Sequence, residues 1–91
     1  GMIVSNEPGY YEKNKFGIRI ENLIYVKKDK NKRYFKNLTM VPIDKDLIDK
    51  TLMDKNEIDW LNKYHERVFN NLKKFMNKKE LLDLKKACSV I

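Results

Sequence analysis

The spacing of apolar residues changes its period at Pro42, and that change restricts the chain to strands followed by helices. Ahead of Pro42, Phe16, Ile18 and Ile20 share one parity while Arg19, Glu21 and Leu23 share the other. This alternation predicts a strand from Phe16 to Val26 with one apolar face and one face bearing charge. Met2 to Val4 is a shorter apolar run that ends at Asn6-Glu7-Pro8-Gly9, where the Pro-Gly order predicts a type II turn with Gly at positive φ. The hydrophilic run Lys27 to Arg33 reads as a hairpin loop, and Tyr34 to Val41 as the return strand, closed by Pro42.

Beyond Pro42 the pattern is helical. Asp44 to Met53 is expected to form a short helix carrying Leu47, Ile48 and Leu52. Asp54 followed by Glu57 resembles a capping box, and a helix is expected from about Asp54 to Met76. Its apolar stripe is Ile58, Leu61, Tyr64, Val68, Leu72 and Phe75. Asn77 and Glu80 repeat the capping pattern before a last helix with Leu81, Leu82, Leu84 and Ala87. The fold class is α+β, with strands over residues 1–42 and a helical tail over 43–91. No repeat and no linker marks a domain boundary.

At 91 residues the chain is sized for one small domain. A domain of this size buries only about 60–65% of its unfolded surface, so its stability margin is thin. Its apolar fraction of 42% beside 36% charged residues is that of a globular chain. A net charge of +7 raises nucleic-acid binding as a possibility, but seventeen of the twenty basic residues are Lys; only Arg19, Arg33 and Arg67 offer the planar fork that reads phosphates and base edges. The Lys residues are interleaved with acids along the chain rather than gathered on one stripe, so a solvated basic surface is expected and no nucleic-acid partner. No apolar run approaches the ~20 residues that span a bilayer, and the start lacks the pattern of a secretory leader. The single Cys88 cannot form an internal disulfide, which fits a reducing, cytoplasmic compartment.

Few residues are chemically distinctive. Glu7 and Glu21 stand fourteen positions apart and converge if the segment between them bends back as a hairpin. Two adjacent carboxylates repel one another unless a cation or proton is shared, and a hard divalent metal meets that need. Spacing alone favours the plainer account, in which Glu7 flanks a turn and Glu21 lies on a solvated strand face. His65 is the chain's one histidine, so no His-based centre can be built within it, and a surface or helix-packing role is expected. Cys88 has no His or helix N-terminus beside it to activate a nucleophile. The aromatic residues, Trp60 among them, read as core and interface.

The segments VSNEPGYYE, Val4 to Glu12, and FGIRIEN, Phe16 to Asn22, resemble the closing active-site motifs of the Xaa-Pro aminopeptidases, which are pita-bread metallopeptidases. The match is in wording and order, and the spacing from Glu7 to Glu21 is similar to that of the eukaryotic members. The LTMVPID and WLNKYH stretches resemble the tail of the same family. The resemblance implies that residues 1–91 are the C-terminal part of a pita-bread catalytic domain. It implies a peptidase that removes the N-terminal residue from peptides with proline in second position. It also implies two metal ions, usually Mn²⁺, held by two Asp, one His and two Glu. The two Glu match Glu7 and Glu21, with Glu21 bridging; Tyr11 and Arg19 match the hydrogen-bonding shell, and Glu7 is implied in handling the proton of the attacking water. The other three ligands have no counterpart in this chain, so by itself it is expected to be inactive and to bind metal weakly. A homodimer is a further implication. The competing reading is a non-catalytic basic α+β module that docks a protein partner.

Overall fold

Strands β1 (Ile3–Asn6), β2 (Gly9–Glu12), β3 (Phe16–Arg19), β4 (Asn22–Asp29) and β5 (Lys32–Asn37) fill most of a first unit, Gly1–Thr39, in a computed structural model that describes residues 1–91. All pairings are antiparallel. β4 lies between β1 and β5, and β2 pairs with β3. Ile3 faces Tyr25 and Gly9 faces Arg19, so the β1–β4 and β2–β3 ladders keep one common register. β1 and β2 therefore form one arm of a long hairpin, and β3 and β4 form the other. Its tip is closed by the Lys15 N–H donating to the Glu12 carbonyl at 3.1 Å, with Asn14 at φ 60°, a left-handed conformation that Asn tolerates.

The arm is interrupted where proline removes a donor. Ile20 N–H donates to the Pro8 carbonyl at 3.1 Å, but the reciprocal bond cannot form because Pro8 has no N–H. The ladder opens there, with Glu7-Pro8 across from Ile20-Glu21. Two sequence expectations are corrected at this point. The Asn6-Glu7-Pro8-Gly9 stretch is no type II turn: no glycine has positive φ, and the chain runs on so that β1 and β2 pair with the same returning arm. The expected single strand Phe16 to Val26 is two strands with the break at Ile20-Glu21.

Further boundaries move for similar reasons. Most of the hydrophilic run Lys27 to Arg33 is strand, because backbone ladder bonds do not require apolar side chains; Lys28 pairs with Arg33 and Asp29 with Lys32. Only Lys30-Asn31 turns, with Lys30 at φ 54°. β5 stops at Asn37 rather than continuing to Val41. There the Leu38 and Thr39 N–H groups both donate to the Leu23 carbonyl, at 2.8 and 3.4 Å, and the Thr39 hydroxyl accepts from Leu23 N–H at 2.8 Å.

The second unit, Met40–Ile91, is helical. The single helix expected over Asp44 to Met53 is replaced by two 3-10 turns, Lys45–Leu47 and Lys50–Leu52. Each is started by an Asp in extended conformation: Asp44 accepts from Asp46 N–H, and Asp49 from Thr51 N–H, both at 3.0 Å. An N-cap inside the run ends whatever helix precedes it. Helix α1 (Lys55–Leu72) begins with the expected capping box, Glu57 N–H donating to Asp54 Oδ1 at 2.8 Å and Asp54 N–H to Glu57 Oε2 at 3.4 Å. A 3-10 turn at Lys73–Phe75 separates it from α2 (Lys78–Ala87), which Asn77 caps by accepting from Glu80 N–H at 2.8 Å.

Leu61, Tyr64 and Val68 of α1 are buried, and Met40, Ile43, Ile48, Met53, Leu72, Cys88 and Ile91 pack around them. The apolar stripe thus carries the core as far as Leu72 and then fails. Phe75 is 72% exposed because α1 has already ended and the tighter turn rotates it off the stripe. Trp60 is also no core residue: it is 51% exposed, and its ring stacks on Tyr64 with centroids 5.4 Å apart. His65, adjoining the stripe, is fully buried. No helix is long and apolar enough to cross a membrane.

Candidate metal-ligand pair on the interrupted hairpin

The hydrogen-bond phase of the hairpin determines how its side chains meet. Val26 N–H donates to the Met2 carbonyl and Ile20 N–H to the Pro8 carbonyl, so the even-numbered pairs of this register are the hydrogen-bonded ones. Continuing the common register across the gap between the Asn6–Asn22 and Gly9–Arg19 pairs sets Glu7 across from Glu21, at a position of the non-hydrogen-bonded kind. At such positions the Cα atoms approach to about 4.5 Å and the side chains lie closest. Like charges directly opposite are destabilising, and a cation between two such carboxylates would offset that. Both residues are exposed.

The neighbouring pairs on the same face qualify this arrangement. Arg19 Nε lies 3.4 Å from Glu21 Oε2, an ion pair between half-exposed side chains that offsets part of the repulsion. Tyr11 pairs with Gly17, and its ring lies over both Gly17 and Gly9. A Cβ at Gly17 would come within 2.5 Å of the Tyr11 ring, and one at Gly9 within 2.8 Å of its hydroxyl. The two glycines form the seat that lays Tyr11 along the strand pair toward Arg19, the partner of Gly9. Sequence reasoning singled out Tyr11 but missed this seat; its signal was a Gly in each strand, at positions flanking the aromatic run. Asn22, directly after Glu21, is the one buried residue of this unit.

Carboxylate oxygens fit a hard divalent cation. Glu7 and Glu21 are a pair only, and the chain contains no group of three or more His, Cys, Asp or Glu side chains arranged to hold a metal. The donor set is of the right chemistry and is incomplete. The other candidates lie in the helical unit and serve its packing. Burial, with the Lys45 charge as a smaller cause, pushes the His65 imidazole below its usual protonation range. Burial pushes the Cys88 thiol up, which keeps it from acting as a nucleophile.

Comparison with known proteins adds to this geometry. Residues 1–28 match the model of metallopeptidase family M24, and residues 33–91 match the model of the C-terminal region of peptidase M24. The chain belongs to the M24 metallopeptidases. Individual M24 relatives agree. A probable Xaa-Pro aminopeptidase P of Sclerotinia sclerotiorum is 45% identical over 89 residues, 89% of this chain and 15% of that protein. Aminopeptidase P2 of Arabidopsis thaliana is 45% identical over 80 residues, 79% of this chain and 11% of its own length. The crystal structure of X-prolyl aminopeptidase from Caenorhabditis elegans, described as a cytosolic enzyme with a di-nuclear active site, matches with a TM-score of 0.84 and 39% identity. That match covers 98% of this chain and 16% of the C. elegans protein. The chain thus spans roughly a seventh of the length of these M24 relatives, and the antiparallel strands followed by helices are the fold of the corresponding part of a pita-bread aminopeptidase.

Proposed function

We propose that this chain is the C-terminal part of the catalytic region of an Xaa-Pro aminopeptidase, and that it contributes two of the carboxylates of a dinuclear metal centre. The observation that carries this reading is the opposition of Glu7 and Glu21 at a non-hydrogen-bonded pair, at the point where Pro8 opens the ladder. Within that enzyme Glu7 and Glu21 would be among the residues holding two divalent ions, which we take to be manganese, with Glu21 as the shared ligand. When bound, such ions would supply Lewis acidity for the peptide carbonyl before proline and for the attacking water. Arg19 Nε, 3.4 Å from Glu21 Oε2, would orient that carboxylate from one side. Tyr11, seated on Gly9 and Gly17, lines the same face of the strand pair. Glu7 would take the proton of the attacking water and deliver it to the departing proline nitrogen as the peptide C–N bond breaks.

The isolated chain lacks the remaining ligands and is inactive under this reading. Its sheet carries exposed Tyr10, Phe16, Ile18, Ile20 and Phe35, which supports association with further protein, the rest of the enzyme or a second copy. The cytosolic description of the C. elegans relative supports a cytoplasmic location. The test is Glu21→Gln in the enzyme that contains this chain. Cleavage of an Xaa-Pro peptide is expected to be abolished with the fold nearly intact, and a variant that retains substantial cleavage sinks the assignment.

A further inference from the structure

His65 is the one titratable side chain wholly removed from solvent, and its two ring nitrogens are treated differently. Nε2 accepts a hydrogen bond from the Ile43 N–H at 3.0 Å, so in the neutral ring the proton must sit on Nδ1. Nδ1 is buried and has no partner. One residue earlier on α1, the Tyr64 hydroxyl donates to the Val41 carbonyl at 2.7 Å. Two adjacent side chains of α1 therefore clasp the backbone of Val41–Ile43. The next residues extend the clasp: Lys45 Nζ donates to the Lys86 and Ser89 carbonyls and to the Ser89 hydroxyl, at 3.0, 2.9 and 2.6 Å, holding the C-terminal end of α2.

We propose that His65 is a proton-operated latch, which holds the Val41–Lys45 segment against α1 while the imidazole is neutral and releases it when Nε2 is protonated. A proton on Nε2 points at the Ile43 N–H, so a donor meets a donor and the bond is lost. The second N–H, on Nδ1, still has nowhere to donate, and a full charge is enclosed among apolar residues. The charged and titratable groups around the ring do not compensate. On the clasped segment Lys45 is a cation that opposes protonation, and the carboxylates of Asp44 and Asp46 beside it are exposed, Asp44 being engaged by Asp46 N–H. From the end of α2 comes Cys88, packed on the same core and kept neutral by burial, while Lys86 is exposed and meets Lys45 only through its carbonyl. On α1 itself Tyr64 donates its proton away to Val41, and Glu66 is exposed.

The sign follows from the lowered affinity of the folded state for this proton. Stability from the neutral ring is fully present above the ordinary histidine value of 6.5 and is lost as pH falls below it, because the unfolded chain takes up the proton first. The chain holds a single histidine, so the test is direct. Nitrogen-15 NMR of the full 91-residue chain is expected to show the Nδ1–H tautomer at pH 7. Amide exchange, corrected for the intrinsic pH dependence, should show protection of Ile43 falling at least tenfold between pH 7 and 5. The Leu81 amide, bonded to the Asn77 carbonyl, should lose less protection over the same range. His65→Gln retains an acceptor near Nε2 without the titration, and its Ile43 protection should not change over that range. An Nε2–H tautomer at pH 7, or Ile43 protection in the unaltered chain that does not fall ahead of Leu81, overturns the latch whether or not the variant folds.

Discussion

The sheet unit and the helical unit are built from similar proportions of apolar residues and use them in opposite ways. In Met40–Ile91 the apolar residues of α1 are gathered into a core around Leu61, Tyr64 and Val68, and Leu84 is buried on α2. In Gly1–Thr39 the backbone is well paired, yet Ile3, Tyr10, Phe16, Ile18, Ile20, Leu23 and Phe35 are all more than two-fifths exposed, and the one buried residue is the polar Asn22. Hydrogen-bonded ladders place strands in register without closing a core, whereas burial of side chains supplies most of the folding free energy. The backbone-paired unit is thus the one that leaves its apolar side chains uncovered. A sheet with uncovered faces is suited to receive more protein.

The contrast breaks most visibly at single core positions. Leu61→Ala, at a site 3% exposed, should destabilise the helical unit by about 2–5 kcal/mol, enough to threaten folding of so small a unit. Ile18→Ala, at a sheet site 44% exposed, should cost less than about 1 kcal/mol. Paired melts followed by circular dichroism check both, and equal losses would show a sheet core that contradicts the comparison. A smaller effect sharpens the view of local order. Asp54→Ala removes the side-chain half of the capping box, leaving the Glu57 carboxylate on the backbone N–H of residue 54, and should cost ~1 kcal/mol, read as fraying of the first turn of α1 in amide exchange. The smallest effect has the opposite sign. In the isolated chain Glu21→Gln removes a like charge opposite Glu7 and should stabilise the hairpin by about 0.2–1 kcal/mol, less what the Arg19 pair contributed. The substitution expected to abolish activity in the whole enzyme would thus leave this piece equal or more stable, as denaturant titration can establish.

Legibility in the sequence followed the range of the interactions. The starts of α1 and α2 were readable because capping is a matter of three residues: Asp54 with Glu57 and Asn77 with Glu80 satisfy N–H groups that no distant partner supplies. The core stripe was readable from Leu61 to Leu72 for the same reason, and failed at Phe75 once the helical period stopped. Lys-rich β4 and β5 were misread around their turn, since a polar exposed ladder leaves no apolar signature. The site itself was half legible. The pattern of EPGYY and FGIRIEN named Glu7, Tyr11, Arg19 and Glu21, but spacing alone favoured the plainer account of a turn and a solvated strand.

What the sequence by itself determined, then, is the division into strands and helices, the helix starts, and the identity of the acidic and aromatic residues around Pro8. Only the tertiary structure decided that Pro8-Gly9 continues an arm instead of turning it, because that depends on Ile20 and Arg19, twelve and ten residues further along, standing across from them. The same pairing set the hydrogen-bond phase that brings Glu7 opposite Glu21 at the closer of the two kinds of position. It was also tertiary packing that took His65 wholly out of water. Its place beside the stripe left both a surface and a buried position open, and the backbone of Ile43, distant in sequence, settled it by giving Nε2 a hydrogen bond that water would otherwise have supplied.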